Sequence, residues 1–170
     1  GLLSRFRIQH IHEHRLPGLI PGRGAIQMQL GEEATESITL VAMHLSLGKR
    51  SRLQQLKFLA KSLQTHKYIV LMGDTNCEAE EIKSCFADAG HPMRGLPESA
   101  ATFPSWKPIR QLDHILAGEN LIIDAVEVLP YCYSDHLPVA MEIRVPSEVQ
   151  VGESGHRSPL APAAVKYRNM

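Results

Sequence analysis

Apolar and polar positions follow two rhythms along this chain, and each change of rhythm marks an element. Ala25 to Leu30 and Ser37 to Leu45 alternate with a period of two, so each predicts a strand, and the charged stretch GEEATE between them predicts a hairpin turn. In the second strand Ile38, Leu40, Ala42 and His44 share one parity, while Thr39, Val41, Met43 and Leu45 share the other. His44 therefore falls at the strand's carboxyl end. The rhythm then shifts. Leu53, Leu56, Leu59 or Ala60, and Leu63 recur at helical spacing and predict a helix from about Arg52 to Gln64, with Ser51 and Gln54 as its cap.

An unbroken apolar run from Tyr68 to Met72 predicts a buried strand that stops at Gly73 and delivers Asp74 and Asn76. Strand, helix, strand predicts a crossover within one sheet, and the carboxyl ends of strands in such sheets are where ligand-handling groups collect. Asp74 and Asn76 could face one side of the turn as an anion and an amide. Taken alone, GDTN reads equally as a plain turn, with Thr75 and Glu78 forming a capping box for a helix over Glu78 to Asp88. That helix would turn Ile82, Cys85 and Phe86 inward.

Residues 91–110 are rich in Pro, Gly and Ser and predict a long loop, a feature that tends to carry function in a compact domain. Phe103, Trp106, Lys107 and Arg110 could offer apolar and cationic contacts there, or Phe103 and Trp106 could pin the loop to the core. Gln111 to Ala117 is apolar except for Asp113 and His114, and a carboxylate in such a run costs free energy unless it is paired. Leu121 to Leu129 predicts another strand. Ser134, Asp135 and His136 then occupy a loop before the last strand, Val139 to Val145, whose odd positions form its buried face.

The periodicity ends at Pro146, so one domain is expected over residues 1–146, followed by a polar, disordered tail over 147–170. Residues 1–24 set Arg5, Arg7, His10, His12, His14, Arg15 and Arg23 among Pro and Gly and predict a basic, solvated loop, with contact to an anionic substrate as the lesser alternative. His12, Glu13 and His14 lack the spacing that puts two histidines on one helix face.

Composition narrows the classes. A chain of 170 residues suits one domain, and Lys plus Arg equal Asp plus Glu at 18 each, so no global basic field marks a nucleic-acid binder and only a local patch could serve. Three cysteines without a pairing pattern suit a reducing compartment, so the expected location is cytoplasmic. No stretch is long and apolar enough for a membrane span, and the opening lacks a signal-peptide pattern. The first residue is Gly1, so the natural start is expected upstream.

His44, the Asp74/Asn76 pair, Asp113 and the Asp135/His136 pair all fall at ends of apolar strands. Together they supply what metal-assisted phosphoester hydrolysis needs: oxygens for a hard cation, a histidine base, and a carboxylate to orient it. In order, MHLS at 43–46, GDTN at 73–76, LDHIL at 112–116 and SDHLP at 134–138 resemble the endonuclease/exonuclease/phosphatase superfamily, the DNase I-like proteins. LLSRF at 2–6 and TFPSWKP at 102–108 are similar to segments of its bacterial members. The resemblance covers most of residues 1–145.

That resemblance implies an α/β (α+β) fold, part of a four-layer sandwich of two mixed sheets with helices outside. It implies His136 as general base, Asp113 as its orienting partner, Asp74 and Asn76 positioning water and phosphate, and His44 contacting the phosphate. Asp135 and Asp74 would help bind Mg²⁺ or Mn²⁺. The substrate would be a phosphoester in nucleic acid, a lipid headgroup or a small molecule, with no protein partner required.

One feature departs from the family pattern. Members carry an early strand ending in a metal-binding glutamate, within a Gln-Glu pair, and an asparagine on the strand before it. Glu13, Glu32 and Glu33 lie after the point where that ligand belongs. The first strands of one sheet are therefore expected to be missing, with an unpaired edge and poor metal affinity. The alternative function is a non-catalytic remnant or interaction module that keeps the scaffold. A sequence-specific DNA-binding protein is disfavoured by zero net charge and by the lack of a recognition helix.

Overall fold

The parity of the central strands builds a six-stranded sheet in the computed structural model, which describes residues 3–18, 21–32, 36–97 and 100–152. In chain order the elements are β1 (Ile8–His14), β2 (Gly24–Leu30), β3 (Ile38–His44), α1 (Lys49–Ser62), β4 (Tyr68–Asp74), α2 (Ala79–Ala87), β5 (Met93–Gly95), β6 (Asp113–Gly118), β7 (Ile122–Val128) and β8 (Val139–Arg144). The large sheet runs β1-β2-β3-β4-β6-β5, and β7 pairs with β8 in a second, antiparallel sheet. β3 and β4 are parallel neighbours with α1 between them in the chain, as the crossover pattern predicts, and the other pairs of the large sheet are antiparallel.

Alternation along β3, β4 and β6 separates two cores. Val41, Met43, Ile69, Leu71 and Leu116 turn to one face and bury Leu56, Leu59, Ile82 and Phe86 of the two helices. Ile38, Tyr68, Val70 and Ala117 turn to the other, where Ile123, Met141 and Ile143 of the second sheet cover them. The result is a partial α/β sandwich: helices, a mixed sheet, then a two-stranded sheet. No helix among the described residues is long and apolar enough to cross a membrane.

Several expectations are corrected. The basic N-terminal segment is not mostly loop, because β1 pairs with β2 from Ile8↔Leu30 to His14↔Ala25. Its side chains are mostly exposed or half-buried, so backbone pairing and not apolar patterning holds this edge strand, and polarity concealed it. The long loop contains the short strand β5, paired with β6. The chain also stays packed past Pro146: Val149 is buried in the second core, Arg7 N–H donates to Gly152 O, and Glu32 N–H donates to Gln150 O. The remaining tail, 153–170, and the hairpin-turn residues 33–35 lie outside the described residues.

Both predicted caps are absent. α1 begins at Lys49 with Gly48 as its cap residue, which puts Ser51 inside the helix, and α2 begins behind Glu78 without a side-chain cap. Leu53 is 38% exposed, while Arg52 and Gln55 are buried instead. They earn that place by hydrogen bonding. Arg52 pairs with Glu81 of α2 (2.9 and 3.1 Å) and donates to Leu47 O (2.7 Å), while Gln55 binds the backbone N–H and hydroxyl of Ser46 (2.9 Å each). The segment just after His44 is thereby clamped to the helices. Removing one partner would leave the other charge half-buried without its pair, which is destabilising.

Gly73 is the backbone position that sets up Asp74. Its φ is +133°, and a Cβ placed there would lie 1.9 Å from Met43 O of the neighbouring strand. Strand contact and left-handed backbone both demand glycine. Gly73→Ala is expected to lower stability by about 3 kcal/mol or more, measurable by urea denaturation; a loss below about 0.5 kcal/mol would show that the close approach is not needed.

Candidate active site

One edge of the large sheet collects the predicted residues because three strands end or begin there together. β3 and β4 run parallel, so His44 and Asp74 both stand at carboxyl ends, and β6 starts opposite with Asp113 directly paired to Asp74. Alternation places His44, Asp74 and Asp113 on the face that the second sheet partly covers. His44 Nε2 lies 3.4 Å from Asp74 Oδ2.

The turn after β4 is tied down on both sides. Leu45 N–H donates to Asp74 O (3.0 Å), and Asn76, at φ +54°, donates its side-chain N–H to Leu45 O (2.9 Å) and its backbone N–H to Asp74 Oδ1 (3.0 Å). Asn tolerates this left-handed conformation better than most residues. Thr75, read as a possible helix cap, is buried and bonds Leu112 O through its hydroxyl (3.1 Å) and its N–H (2.9 Å). Its task is to join the end of β4 to the entry of β6.

The loop before β8 brings the fourth group. His136 Nδ1 lies 2.7 Å from Asp113 Oδ2, and the two side chains are 26% and 19% exposed. This is the pairing that a carboxylate in an apolar strand requires. Burial pulls the His136 pKa down, but the hydrogen bond and charge of Asp113, with the charges of Asp74 and Asp135, outweigh it, so the imidazole titrates above its ordinary value. The bond to Nδ1 leaves Nε2 as the proton-accepting nitrogen of the neutral ring. His114, its neighbour in sequence, is different: burial lowers its pKa, its Nε2 donates to Cys77 O (2.8 Å), and it is a core residue.

Two further residues join the candidates. Thr102 is buried, and its hydroxyl donates to Asp113 Oδ2 (2.7 Å) while accepting from the N–H groups of Leu112 (3.1 Å) and Asp113 (3.2 Å). A threonine in a Pro/Ser-rich loop carries no signal of this in the sequence alone. Arg23, just before β2, hydrogen-bonds His44 Nε2 through its guanidinium. It lines a cavity of about 490 Å³ with Glu13, His14, Met43 and His44. A second cavity, of about 400 Å³, is lined by Met72, Gly73, Asp113, Ser134 and His136.

Asp74 and Asp135, the expected metal ligands, both lie near enough to His136 to act on it through their charge. Asp74 Oδ1 already accepts the Asn76 N–H, and Asp113 Oδ2 serves His136 and Thr102. Among the described residues no group of three or more His, Cys, Asp or Glu is placed to hold a metal ion. Asp74 and Asp135 are the carboxylates of this edge that would hold a divalent cation, and Mg²⁺ completes its shell with water and phosphate oxygens around one or two carboxylates.

Comparison with known proteins places this geometry. Nothing among curated protein sequences matches the chain. Solved structures do match. A mannosyl-6-phosphatase of Bacteroides thetaiotaomicron is 15% identical, with 83% of this chain and 68% of that chain covered and a TM-score of 0.66. TDP2 of D. rerio, solved with a single-strand DNA product, is 15% identical over 83% of this chain and 69% of its own, with a TM-score of 0.64. The inositol polyphosphate 5-phosphatase domain of a synaptojanin is 20% identical, covering 79% and 54%, with a TM-score of 0.57. At these identities the likeness is one of fold. The family model described as the Endonuclease/Exonuclease/phosphatase family matches residues 1–136, which is most of the 170-residue chain, and the protein belongs to that family.

Proposed function

We propose that the edge of the sheet bearing His44, Asp74, Asp113 and His136 hydrolyses a phosphoester by in-line attack of water. The observation that carries this reading is the 2.7 Å contact between His136 Nδ1 and Asp113 Oδ2 beside the His44/Asp74 pair. A histidine oriented by a carboxylate is the arrangement needed to take a proton from water. The family membership of the chain supports phosphoester chemistry in general, and two of its structural neighbours are phosphatases.

Water and protein side chains supply the proton transfers of the step. A water oxygen forms the new bond to phosphorus as the bond to the leaving oxygen breaks. Its proton passes to His136 Nε2, and the leaving oxygen is protonated from solvent. Asp113 fixes the imidazole and Thr102 fixes Asp113. Arg23 and His44 offer donors where charge develops on the phosphoryl oxygens, and Asn76 and Asp74 shape the turn that meets the water. Such catalysis rests on positioning and charge stabilisation. Mg²⁺ or Mn²⁺ is the cation that the family resemblance implies; Asp74 and Asp135 are the residues that would hold it, and it would supply positive charge to the phosphoryl oxygens.

The base must be neutral, and its pKa is raised, so activity is expected to rise with pH through an acidic limb above 6.5, the ordinary histidine value. Asp113→Asn removes the cause and should move that limb down while slowing the reaction. A limb that stays put would remove Asp113 from the orienting role. His136→Ala is expected to lower kcat by about 10²–10⁴-fold on a generic phosphodiester, and unchanged turnover would end the proposal.

Thr102→Val keeps the shape of the side chain but leaves two buried N–H groups without an acceptor, at a cost of about 1–3 kcal/mol in stability. NMR titration should find the His136 pKa altered in Thr102→Val and restored in Thr102→Ser. Equal titration in all three chains would assign Thr102 to packing alone.

A further inference from the structure

The catalytic loops carry a patch that hydrolysis does not use. Four large apolar side chains of the two loops, residues 100–112 and 129–138, stand exposed: Trp106 (73%), Ile109 (71%), Tyr131 (44%) and Tyr133 (90%). Three of the four are aromatic. Trp106 does not pin its loop to the core, as one reading of the sequence allowed; Phe103 alone turns inward, its ring 4.8 Å from that of His136. Leaving such rings in water costs free energy, and exposed patches of this kind mark interaction sites.

The rings are held in place and held together. Tyr131 and Tyr133 are near-parallel, with centroids 5.9 Å apart and planes 18° apart. Backbone bonds from Tyr131 N–H to Leu129 O (2.9 Å) and from Tyr133 N–H to Tyr131 O (3.0 Å) fix their spacing. The two loops are laced through Ser105: its N–H donates to Asp135 O (2.8 Å), its hydroxyl to Ser134 O, and its carbonyl accepts from Cys132 Sγ (3.5 Å). Trp106 and Tyr133 are therefore each one residue from the two ends of the Ser105–Ser134 bond. Ser134 in turn bonds the backbone of His136 (3.0 and 3.1 Å), so the patch adjoins the proposed base within a few residues of chain.

Charge selects the occupant. Lys107 and Arg110 are exposed in the same loop, and among the described residues neither is in an ion pair; Asp135 is the one acidic side chain of residues 100–112 and 129–138 that is exposed. A membrane-seeking surface buries an extended apolar face, whereas this patch has a single aliphatic member and two tyrosine hydroxyls. Flat rings interleaved with cations are the composition that holds a single strand of nucleic acid, its bases stacked and its phosphates neutralised. The zero net charge of the chain is compatible with this, because the cations needed are local.

We propose that Trp106, Tyr131 and Tyr133 form a stacking platform for the bases of single-stranded nucleic acid, with Lys107 and Arg110 meeting its phosphates. The platform rests on the phosphoester reading only for its position beside the scissile bond. Bases held there would set which phosphodiester reaches His136, and specificity would come from strandedness, since every base offers a ring face.

Trp106 is the chain's one tryptophan, so its fluorescence reports the patch directly. The 170-residue His136→Ala chain, with the unsubstituted chain in chelator alongside, would be titrated with an oligothymidylate of about 12 nucleotides, within ordinary site sizes. Saturable quenching is expected. Tyr133→Ala should weaken binding by about tenfold, and Lys107→Ala with Arg110→Ala should flatten its salt dependence. No quenching, equal affinity in Tyr133→Ala and Tyr131→Ala, or quenching by phosphatidylcholine/phosphatidylserine vesicles in place of the oligonucleotide would each overturn the platform. Quenching by an oligonucleotide that the unsubstituted chain never cleaves, with or without added Mg²⁺, would uphold the platform and defeat the hydrolase reading.

Discussion

The bond between Asp113 and His136 is the constraint around which the active edge is arranged. Asp113 opens a strand that is otherwise apolar, and its carboxylate would be costly there without partners. It has two, His136 at 2.7 Å and Thr102 at 2.7 Å, and each arrives from a different loop. The polar cost of one residue therefore determines where two loops must lie. A hydrogen bond to a charged group is worth about 1.5–3 kcal/mol, enough to order loops that have little apolar material of their own.

The same logic extends outward in layers. Thr102 also receives the N–H of Leu137 on its carbonyl (2.8 Å), and Ser105 receives the other loop through Asp135 and Ser134. Arg52 and Gln55 do the equivalent work beneath His44, bonding the carbonyls and N–H of Leu47 and Ser46. Site residues stand on strand ends, and buried polar side chains fix the segments that follow. The exposed rings of Trp106, Tyr131 and Tyr133 are consequences of this lacing, since loops held by hydrogen bonds have no need of aromatic anchors in the core.

Both sheets were legible wherever side-chain burial follows the strand period: β2, β3, β4, β6, β7 and β8 fall within a residue or two of the strands their patterns predict, and the α/β class agrees. The edge strand β1 was not, because its ladder bonds lie in the backbone and its side chains face water. Caps misled for a related reason. Thr75 has the right type and spacing for a helix cap, but Leu112 O lies within reach across the fold, and a residue in a buried site bonds the acceptor that geometry supplies.

The sequence by itself determined the two rhythms of burial, the glycine that ends β4, and the order in which His44, Asp74, Asn76, Asp113, Asp135 and His136 occur. Those are local properties, set by side-chain chemistry and chain period. Only the tertiary structure decided that Asp74 and Asp113 stand opposite each other, that Thr102 supports the Asp113–His136 pair, and that the loops of Trp106 and Tyr133 are joined through Ser105 and Ser134. Each of those depends on strand register or on a hydrogen bond between residues distant in the chain, and neither has a signature in the spacing of one segment.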